Sequence, residues 1–535
     1  MSSGNSAQGI APDERGWWLQ GLAWGIFVAW AAQSFATLLT TQDLWTNLRV
    51  GQDLLSGGGF PRIEEYSATA AGRPFVAYEW LSALAFTSLR AIAGDAGLVA
   101  LRVVAGLSCL ALLLLSLPQR LRGQAYVLPL LILVDYLICF RAYVRPHLFT
   151  LVVLSALCLA LERWRRSRRL RDLVWLAPLH QVWANLHGAF LFGIVLLALL
   201  AGLVAVLARV PRLQARSGEL PYTGRDALAL LGVAGACAAL SLLNPYGAGI
   251  FGLAFEMSES SAYMKAVVLE WQSPLVMQRG DVWFFIYCAL LLLAWGSLLL
   301  RLKERPWLDA LLVAVMSYQS LRASRFVPFL AIFAFPILVR GAERLAASWR
   351  AERAAALRPW LYAGLCTFML ATSLGDLSRL SPRAYRELGW GWDASSPFDE
   401  VRYMRERNLK GVVFNEYVDG ALLIQALHPR IRPVMDSRIN VYGAELYREW
   451  KSIWSAPKRL FPYLDRYAVD YVLLFKRERN RHLLDSLAAS PDWQLAAEFD
   501  RRVLYARRRK APGPATLGSR FERRGAWMAG EQSGF

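Results

Sequence analysis

The stretch Asp43-Leu44-Trp45-Thr46-Asn47-Leu48-Arg49-Val50-Gly51-Gln52 follows directly after the first membrane-length apolar run of this 535-residue chain. It opens a polar segment that continues to Glu79 and Trp80. A carboxylate beside a hydrophobic span is costly unless it has a partner. The polar segment therefore predicts a pocket at the membrane surface, and the interpretation of the rest of the chain depends on it.

The composition places the chain among membrane proteins. It is 56% hydrophobic and contains 21 Trp, and its apolar residues are concentrated in runs long enough to cross a bilayer. The net charge of +19 comes from Lys and Arg clusters between these runs, which is typical of cytoplasmic loops and argues against a nucleic-acid partner. All six cysteines lie inside apolar runs without CxxC spacing, so neither a disulfide framework nor a zinc site is indicated.

The apolar runs predict an α-helical polytopic membrane protein with about eleven transmembrane helices, since a span needs about 20 residues. The first run is too long for a signal-peptide core and is interpreted as a retained span. The runs lie near residues 17–40, 95–117, 124–142, 146–162, 172–185, 188–209, 226–244, 281–300, 307–322, 324–340 and 359–375.

The basic clusters predict the orientation, because they fall on one common face that the positive-inside rule assigns to the cytoplasm. Residues 1–16 then form a cytoplasmic N-terminus, and 17–375 form the membrane domain. Loops 41–94 and 245–280 lie on the outer side. This topology requires 172–209 to be a hairpin, since a single span there would reverse every later orientation.

The pattern changes after residue 375 to short strand-like runs that alternate with helix-like stretches. This alternation predicts an extracytoplasmic α/β domain over 376–510, followed by a disordered tail over 511–535. Polar residues follow two of the strand-like runs, at 414–420 and 435–438, where α/β folds often place ligand contacts. Ordinary turn and cap chemistry accounts for them better.

Asp43 and Glu79 are the candidate catalytic acids, and they are also the metal ligands if the site uses Mg or Mn. Trp45 and Trp80 stand beside them and are candidate substrate-binding residues. The structural alternative is an interfacial amphipathic loop with belt tryptophans. That alternative leaves the two carboxylates unexplained.

Four arginines fall on the predicted outer side, where positive charge is otherwise sparse: Arg141, Arg145, Arg322 and Arg325. Guanidinium groups bind phosphate oxygens in bidentate fashion, so these residues and the nearby His147 predict an anion pocket for a lipid phosphate or pyrophosphate. The alternative is that the arginines snorkel from helix ends.

The turn Trp183-Ala184-Asn185-Leu186-His187-Gly188 interrupts the hydrophobicity between two spans. Irregular backbone at membrane depth is tolerated mainly where it lines a cavity, so Asn185 and His187 are candidate ligand contacts. His187 is either a phosphate binder or a proton donor, and a structural hydrogen-bonding role is the alternative. Glu270-Trp271 repeats the acid-plus-aromatic pairing of Glu79-Trp80 and adds Glu270 to the candidates. No nucleotide-binding or common hydrolase motif is present in the sequence.

Four stretches carry a family resemblance: Asp43 to Leu48, Pro74 to Leu81, Trp183 to Gly188, and Arg145-Pro146-His147. In these the chain resembles the integral-membrane glycosyltransferases of the GT-C fold, in particular a bacterial branch. That branch has an Asp-x-Trp-Trp-His-Leu-like start of the first outer loop, a Pro-Trp-x-x-x-Glu-Trp-Leu-like end and a Trp-x-Asn-x-His-Gly turn. The likeness covers most of the chain.

The sequence departs from the branch in two respects. Thr46 and Asn47 stand where the branch tends to show Trp and His, and Asp43 is followed by Leu rather than by an acidic neighbour.

The GT-C enzymes include the protein O-mannosyltransferases and the aminoarabinose transferase. The resemblance to them implies a multi-pass enzyme of the bacterial inner membrane. It implies sugar transfer from a polyprenyl-phosphate donor to an envelope glycan, lipid or protein acceptor on the outer face. Asp43 matches the acid that acts on the acceptor or coordinates a metal. The expected partners are this donor, membrane lipids and an unspecified acceptor. Two alternatives stay open: a flippase for a polyprenyl-linked glycan, and a non-catalytic scaffold of envelope assembly.

Overall fold

The computed structural model describes residues 14–214, 220–252, 268–277, 282–348, 351–374 and 387–508. The predicted tail 511–535, the first thirteen residues of the predicted N-terminal segment and the middle of loop 245–280 lie outside the described residues. Within the described part, helices occupy the chain up to residue 374, and a small mixed α/β domain follows.

Every predicted apolar run carries a helix. In chain order the helices are α1 Glu14–Phe35, α2 Asp43–Leu55, α3 Trp80–Ser116, α4 Gln119–Arg122, α5 Val127–Cys139, α6 His147–Ser167, α7 Leu176–Leu186, α8 Phe190–Arg209, α9 Gly224–Leu240, α10 Pro274–Met277, α11 Val282–Leu300, α12 Trp307–Arg322, α13 Val327–Ala346 and α14 Ala351–Leu374. By length and composition, five helical segments among the described residues could cross a membrane, namely α3, α6, α8, α11 and Ser324–Ala346, which is α13 with its preceding turn. The total of eleven spans stays a prediction.

Burial separates central helices from peripheral ones. In α6 and in Ser324–Ala346, 78% of the most apolar 18-residue stretch is buried inside the protein. The corresponding share is 44% in α8 and 33% in α11. Because the exposed residues of α8 and α11 are themselves apolar, these helices have faces suited to lipid. The helix α6 therefore has a central position, and residues at its N-terminal end are surrounded by other helices.

The predicted outer loop 41–94 is helical at both ends. The helix α2 begins at Asp43, and α3 runs from Trp80, near the end of this loop, into the predicted span 95–117. Its backbone leaves helical geometry at Gly94, with φ 62° and ψ −163°. This positive φ is accessible to glycine at little cost, so the glycine in the sequence accounts for the break. A Cβ at Gly51 would collide with the Thr87 hydroxyl, which explains the close packing of α2 on α3.

The α/β domain contains one five-stranded sheet in the order β2-β1-β3-β5-β4. Strands β1, β2 and β3 are parallel, whereas β5 pairs antiparallel with β3 and β4. The strands are β1 Gly411–Asn415, β2 Ile431–Pro433, β3 Val469–Phe475, β4 Trp493–Glu498 and β5 Arg502–Arg507. The helices are α15 Phe398–Glu406, α16 Gly420–Leu427, α17 Ile439–Ser455, α18 Leu460–Arg466 and α19 Arg481–Ala489. Every residue of β3 is buried, which fits its almost continuous apolar sequence.

The sheet is docked on the outer loop. The Ala68 backbone N–H donates to the Pro433 carbonyl at 3.0 Å, and the Thr69 hydroxyl donates to the Val434 carbonyl at 2.6 Å. One buried hydrophobic cluster contains both loop residues, such as Phe75, and sheet residues, such as Phe414. The loop and the α/β domain therefore share a core and lie on the same side of the bundle.

Candidate active site

A cavity of about 820 Å³ lies between the helical bundle and the α/β domain. Its walls come from the start of α2, the residues before α3, the connections that precede α6 and α8, the segment 268–271 and the connection between α12 and α13. Nine of the twelve candidate site residues line it: Asp43, Glu79, Arg141, Arg145, His147, His187, Glu270, Arg322 and Arg325. The fold thus gathers acids and arginines from distant parts of the sequence.

Three candidates do not line the cavity. Trp45 stacks on Trp392 with ring centroids 3.6 Å apart. The Trp80 indole N–H donates to the Asn185 side-chain oxygen at 2.7 Å, and the Asn185 amide donates to the Leu243 carbonyl at 3.2 Å. Their side chains pack against protein groups behind the cavity wall, and their predicted contact with a substrate stays a prediction.

Arg141 and Arg145 are already paired with acids. Arg145 donates to Asp43 and, at 3.0 Å, to Glu270, while Arg141 also donates to Glu270. Burial by itself raises the pKa of Glu270, but Arg141 and Arg145 outweigh that effect and hold the pKa well below its usual range. Burial lowers the pKa of Arg145, but Glu270 and Asp43 raise it overall. These two arginines are therefore held in the cavity wall by ion pairs.

Arg322 and Arg325 differ from the other two. Among the described residues, no carboxylate oxygen lies within ion-pair distance of either guanidinium, and their recorded contacts are with aromatic rings. The Arg325 guanidinium lies 4.5 Å from the centroid of the Trp271 ring, an arrangement that leaves its N–H groups available. These two side chains are therefore the cations in the cavity that an anionic ligand would meet.

Glu79 is held in the protonated form at neutral pH. Its side chain keeps 23% of its exposure and faces the cavity. Burial, followed by the nearby charge of Asp43, raises the pKa of Glu79 to about 8. A protonated carboxyl is a hydrogen-bond donor, so Glu79 offers an O–H group to a ligand below this pH.

His187 is neutral and has a defined tautomer. Burial, aided by Arg325 and Arg145, lowers its pKa to about 3. The backbone N–H of Ala189 donates to its Nδ1 at 3.4 Å, so Nδ1 is an acceptor and the Thr150 hydroxyl, 2.9 Å away, donates to it as well. That hydroxyl in turn accepts from Trp183 Nε1 at 2.8 Å. The proton of His187 must then sit on Nε2, which lies 3.6 Å from Glu79 Oε1 at the cavity.

His147 is the least satisfied side chain in the wall. It is 6% exposed, and neither ring nitrogen has a hydrogen-bond partner among the described residues. Its ring stands edge-on to His187, with centroids 5.6 Å apart. A buried polar group without a partner is costly, so a ligand group that reaches His147 would remove that cost.

Residues of the α/β domain close one side of the cavity and form its roof, which was not predicted as part of the site. Tyr417, Ser437, Arg438 and Asn440 line the cavity. The Tyr417 hydroxyl donates to the Ser437 carbonyl at 3.0 Å. All four residues follow β1 or β2. Their position after the carboxyl ends of parallel strands was the feature of the sequence that could have indicated a role in the site.

The predicted metal ligands do not fit a metal ion. Asp43 is bound to Arg145, and Glu79 faces His187. Among the residues that the structure describes, no group of three His, Cys, Asp or Glu side chains could hold a metal ion. A divalent cation at Asp43 would also have to sit beside the positive charge of Arg145.

The comparisons with known proteins establish the fold. No protein-family model and no curated protein matches the chain. The oligosaccharyltransferase AglB from Archaeoglobus fulgidus, solved with an inhibitory peptide and a dolichol-phosphate, is similar with a TM-score of 0.52 and 14% identity over 86% of this chain and 70% of that one. The apo oligosaccharyltransferase of the same organism gives a TM-score of 0.54 at 12% identity, with the same coverage of 86% and 70%.

ArnT from Cupriavidus metallidurans, bound to undecaprenyl phosphate, covers 94% of this chain and 100% of its own at 13% identity. Its TM-score is 0.45, which does not by itself establish a common fold. The likeness to the oligosaccharyltransferase shows that the chain has the fold of the GT-C membrane glycosyltransferases, as the sequence motifs predicted.

Proposed function

We propose that this protein is a membrane glycosyltransferase that moves a sugar from a polyprenyl-phosphate donor to an envelope glycan, lipid or protein acceptor on the outer face of the bacterial inner membrane. The observation that carries the proposal is the meeting of two acids, Asp43 and Glu79, with two arginines, Arg322 and Arg325, in one cavity of a GT-C fold. Neither arginine has an ion-pair partner within the described part of the chain. The AglB structure with dolichol-phosphate supports a lipid phosphate as the anionic ligand.

The reaction is an inverting displacement at the anomeric carbon. The acceptor hydroxyl oxygen attacks C1 of the sugar, and the bond from C1 to the phosphate oxygen breaks with its electron pair leaving on that oxygen. The hydroxyl proton goes to Asp43, which acts as the general base. The donor phosphate, a singly charged diester, becomes a doubly charged lipid phosphate, so one negative charge develops at the leaving oxygen.

Arg322 and Arg325 are placed to stabilise that charge. A phosphate leaves without strong acid catalysis, so preorganised positive charge is the most useful contribution of the protein. Arg325 and Arg322 supply it, and the Nε2–H of neutral His187 adds a hydrogen-bond donor. Below pH 8 the protonated Glu79 donates a further hydrogen bond and adds no negative charge.

The cavity also has a wall suited to the lipid chain. Leu191, Phe192 and Val195 of α8 line it, and Val195 is 55% exposed on the surface of the bundle. A polyprenyl chain would lie along this apolar side and leave the phosphate beside the arginines. The polar roof of the α/β domain is left for the acceptor, which therefore enters from the opposite end.

The test is a transfer assay in proteoliposomes with a radiolabelled polyprenyl-phosphate sugar and an envelope extract as acceptor. The proposal expects label in the acceptor and release of polyprenyl phosphate in equal amounts. A flippase would move the labelled lipid between leaflets with the sugar–phosphate bond intact. A scaffold would do neither, and its function would depend on the α/β surface more than on Asp43 or Arg145.

A further inference from the structure

The guanidinium of Arg145 lies between two carboxylates that come from different parts of the chain. It donates to Asp43 at the start of α2 and, at 3.0 Å, to Glu270 in the segment 268–271. The side chains of Arg145, Asp43 and Glu270 keep 22%, 32% and 14% of their exposure. Two acids that converge on one positive charge at the edge of a cavity form the kind of arrangement in which a divalent cation is often held.

His147 follows Arg145 by two residues, lines the same cavity and has no partner for either ring nitrogen among the described residues. Among the described residues, no group of three His, Cys, Asp or Glu side chains could hold a metal ion. The point on which Asp43 and Glu270 converge is already taken by the positive charge of Arg145.

Arg145 cannot give up its charge to make room for a metal, because a guanidinium is not deprotonated in proteins. Glu270 also accepts from Arg141, so a second cation holds the same acid. The field of Arg145 extends to Glu79, as does that of Arg325. An incoming divalent ion would be repelled on several sides.

We propose that Arg145 is a built-in cation that occupies the position of a divalent metal ion, so that it orients Asp43 and the site works without a metal. The statement about catalysis rests on the proposed transferase function, whereas the statement about metal binding does not. Arg145 acts here as a positioning residue for Asp43. The substitution Arg145→Asp should remove the repulsion and add a third carboxylate beside Asp43 and Glu270.

The experiment measures Mn²⁺ binding to the full-length protein in lipid nanodiscs by electron paramagnetic resonance. Wild type is expected to show no site tighter than about 1 mM, and Arg145→Asp is expected to bind one Mn²⁺ per chain at least tenfold more tightly. Adding Asp43→Asn to Arg145→Asp should weaken that site again. The matched control is Arg90→Asp, since Arg90 has a similar exposure of 25% and pairs with Asp95, and this variant should gain no site.

Two results would overturn the proposal. One is a tight Mn²⁺ site in wild type that Asp43→Asn removes. The other is an Arg145→Asp protein that keeps the wild-type thermal unfolding profile and gains no site. The wild-type measurement stands even if the variant does not fold. Transfer by wild type should change less than twofold when EDTA is added, and a protein with no transfer activity under any condition would contradict the transferase function while leaving the binding result intact.

Discussion

Arg438 of the α/β domain donates to both carboxylate oxygens of Glu64 in the outer loop, at 2.7 and 2.9 Å, although 374 residues separate them in sequence. The same guanidinium donates to Asp436, and both acids are fully buried. This cluster joins the roof of the cavity to its walls. It makes the α/β domain a part of the site and not an appended module.

Removing the charge of Arg438 should destabilise the protein. Arg438→Met leaves two buried carboxylates without their cation, which costs about 3–5 kcal/mol in comparable buried pairs. We expect a lower thermal unfolding midpoint of the purified protein and faster proteolysis within 387–508. Arg466→Met is the control, because the Arg466 side chain is 66% exposed in its pair with Glu449, and such pairs contribute about 0–1 kcal/mol. Equal midpoints for the two variants would contradict the structural role of the cluster.

Arg325 should contribute strongly to the use of the donor. Arg325→Ala removes a preorganised cation from the position where phosphate charge develops, and we expect kcat/KM for the donor to fall about 100- to 1000-fold. Arg325→Lys keeps the charge but loses the planar fork and the stacking on Trp271, so it should recover only part of the activity. Arg90→Ala is the control outside the cavity. A donor kcat/KM for Arg325→Ala within twofold of wild type would remove Arg325 from the phosphate site.

The pH dependence of transfer should reflect Glu79. Its pKa is raised to about 8, so Glu79 is protonated and neutral below that pH and becomes an anion above it. The anion would repel the charge that forms on the phosphate, so the rate should decline as the pH rises through about 8. Glu79→Gln keeps a hydrogen-bond donor that does not titrate. The variant should therefore lack the alkaline decline, and an identical decline in both proteins would assign it to another group.

Thr150 should control the tautomer of His187. Thr150→Val removes the hydroxyl that donates to Nδ1, and losses of about 10- to 100-fold are typical when a group that orients a functional histidine is removed. Thr150→Ser should restore activity. Nitrogen NMR of labelled histidine distinguishes this role from general destabilisation, because the fraction of His187 with its proton on Nε2 should fall in Thr150→Val and return in Thr150→Ser.

Much of the fold could be predicted because hydrophobic spans carry their own signal. Each apolar run became a helix, and the change from surface helix to span within α3 coincided with Gly94, a residue type that signals such breaks. The acids and arginines of the site were conspicuous because charge is sparse on the side of the apolar runs that is predicted to be the outer one. The alternation of short runs after residue 375 was sufficient to predict the α/β domain.

The parts that could not be predicted depend on contacts between distant residues. Periodicity does not reveal that Arg145 meets Glu270 while Arg325 has no ion-pair partner among the residues that the structure describes, since both arginines look the same in sequence. Trp45 gave the signal of an interfacial aromatic, but it is buried on Trp392, which comes from beyond the last span. The roof residues were undervalued because polar residues after a strand also serve as turns and caps.

The most direct measurement of the central claim is transfer of labelled sugar by Asp43→Asn in proteoliposomes, compared with Asp95→Asn. The two acids are matched, since each pairs with one or more arginines and keeps close to one third of its side-chain exposure, 32% and 31%, but only Asp43 lines the cavity. The account predicts that Asp43→Asn inserts and folds like wild type and loses transfer by at least about 100-fold, while Asp95→Asn keeps it. Wild-type transfer by Asp43→Asn would contradict the account.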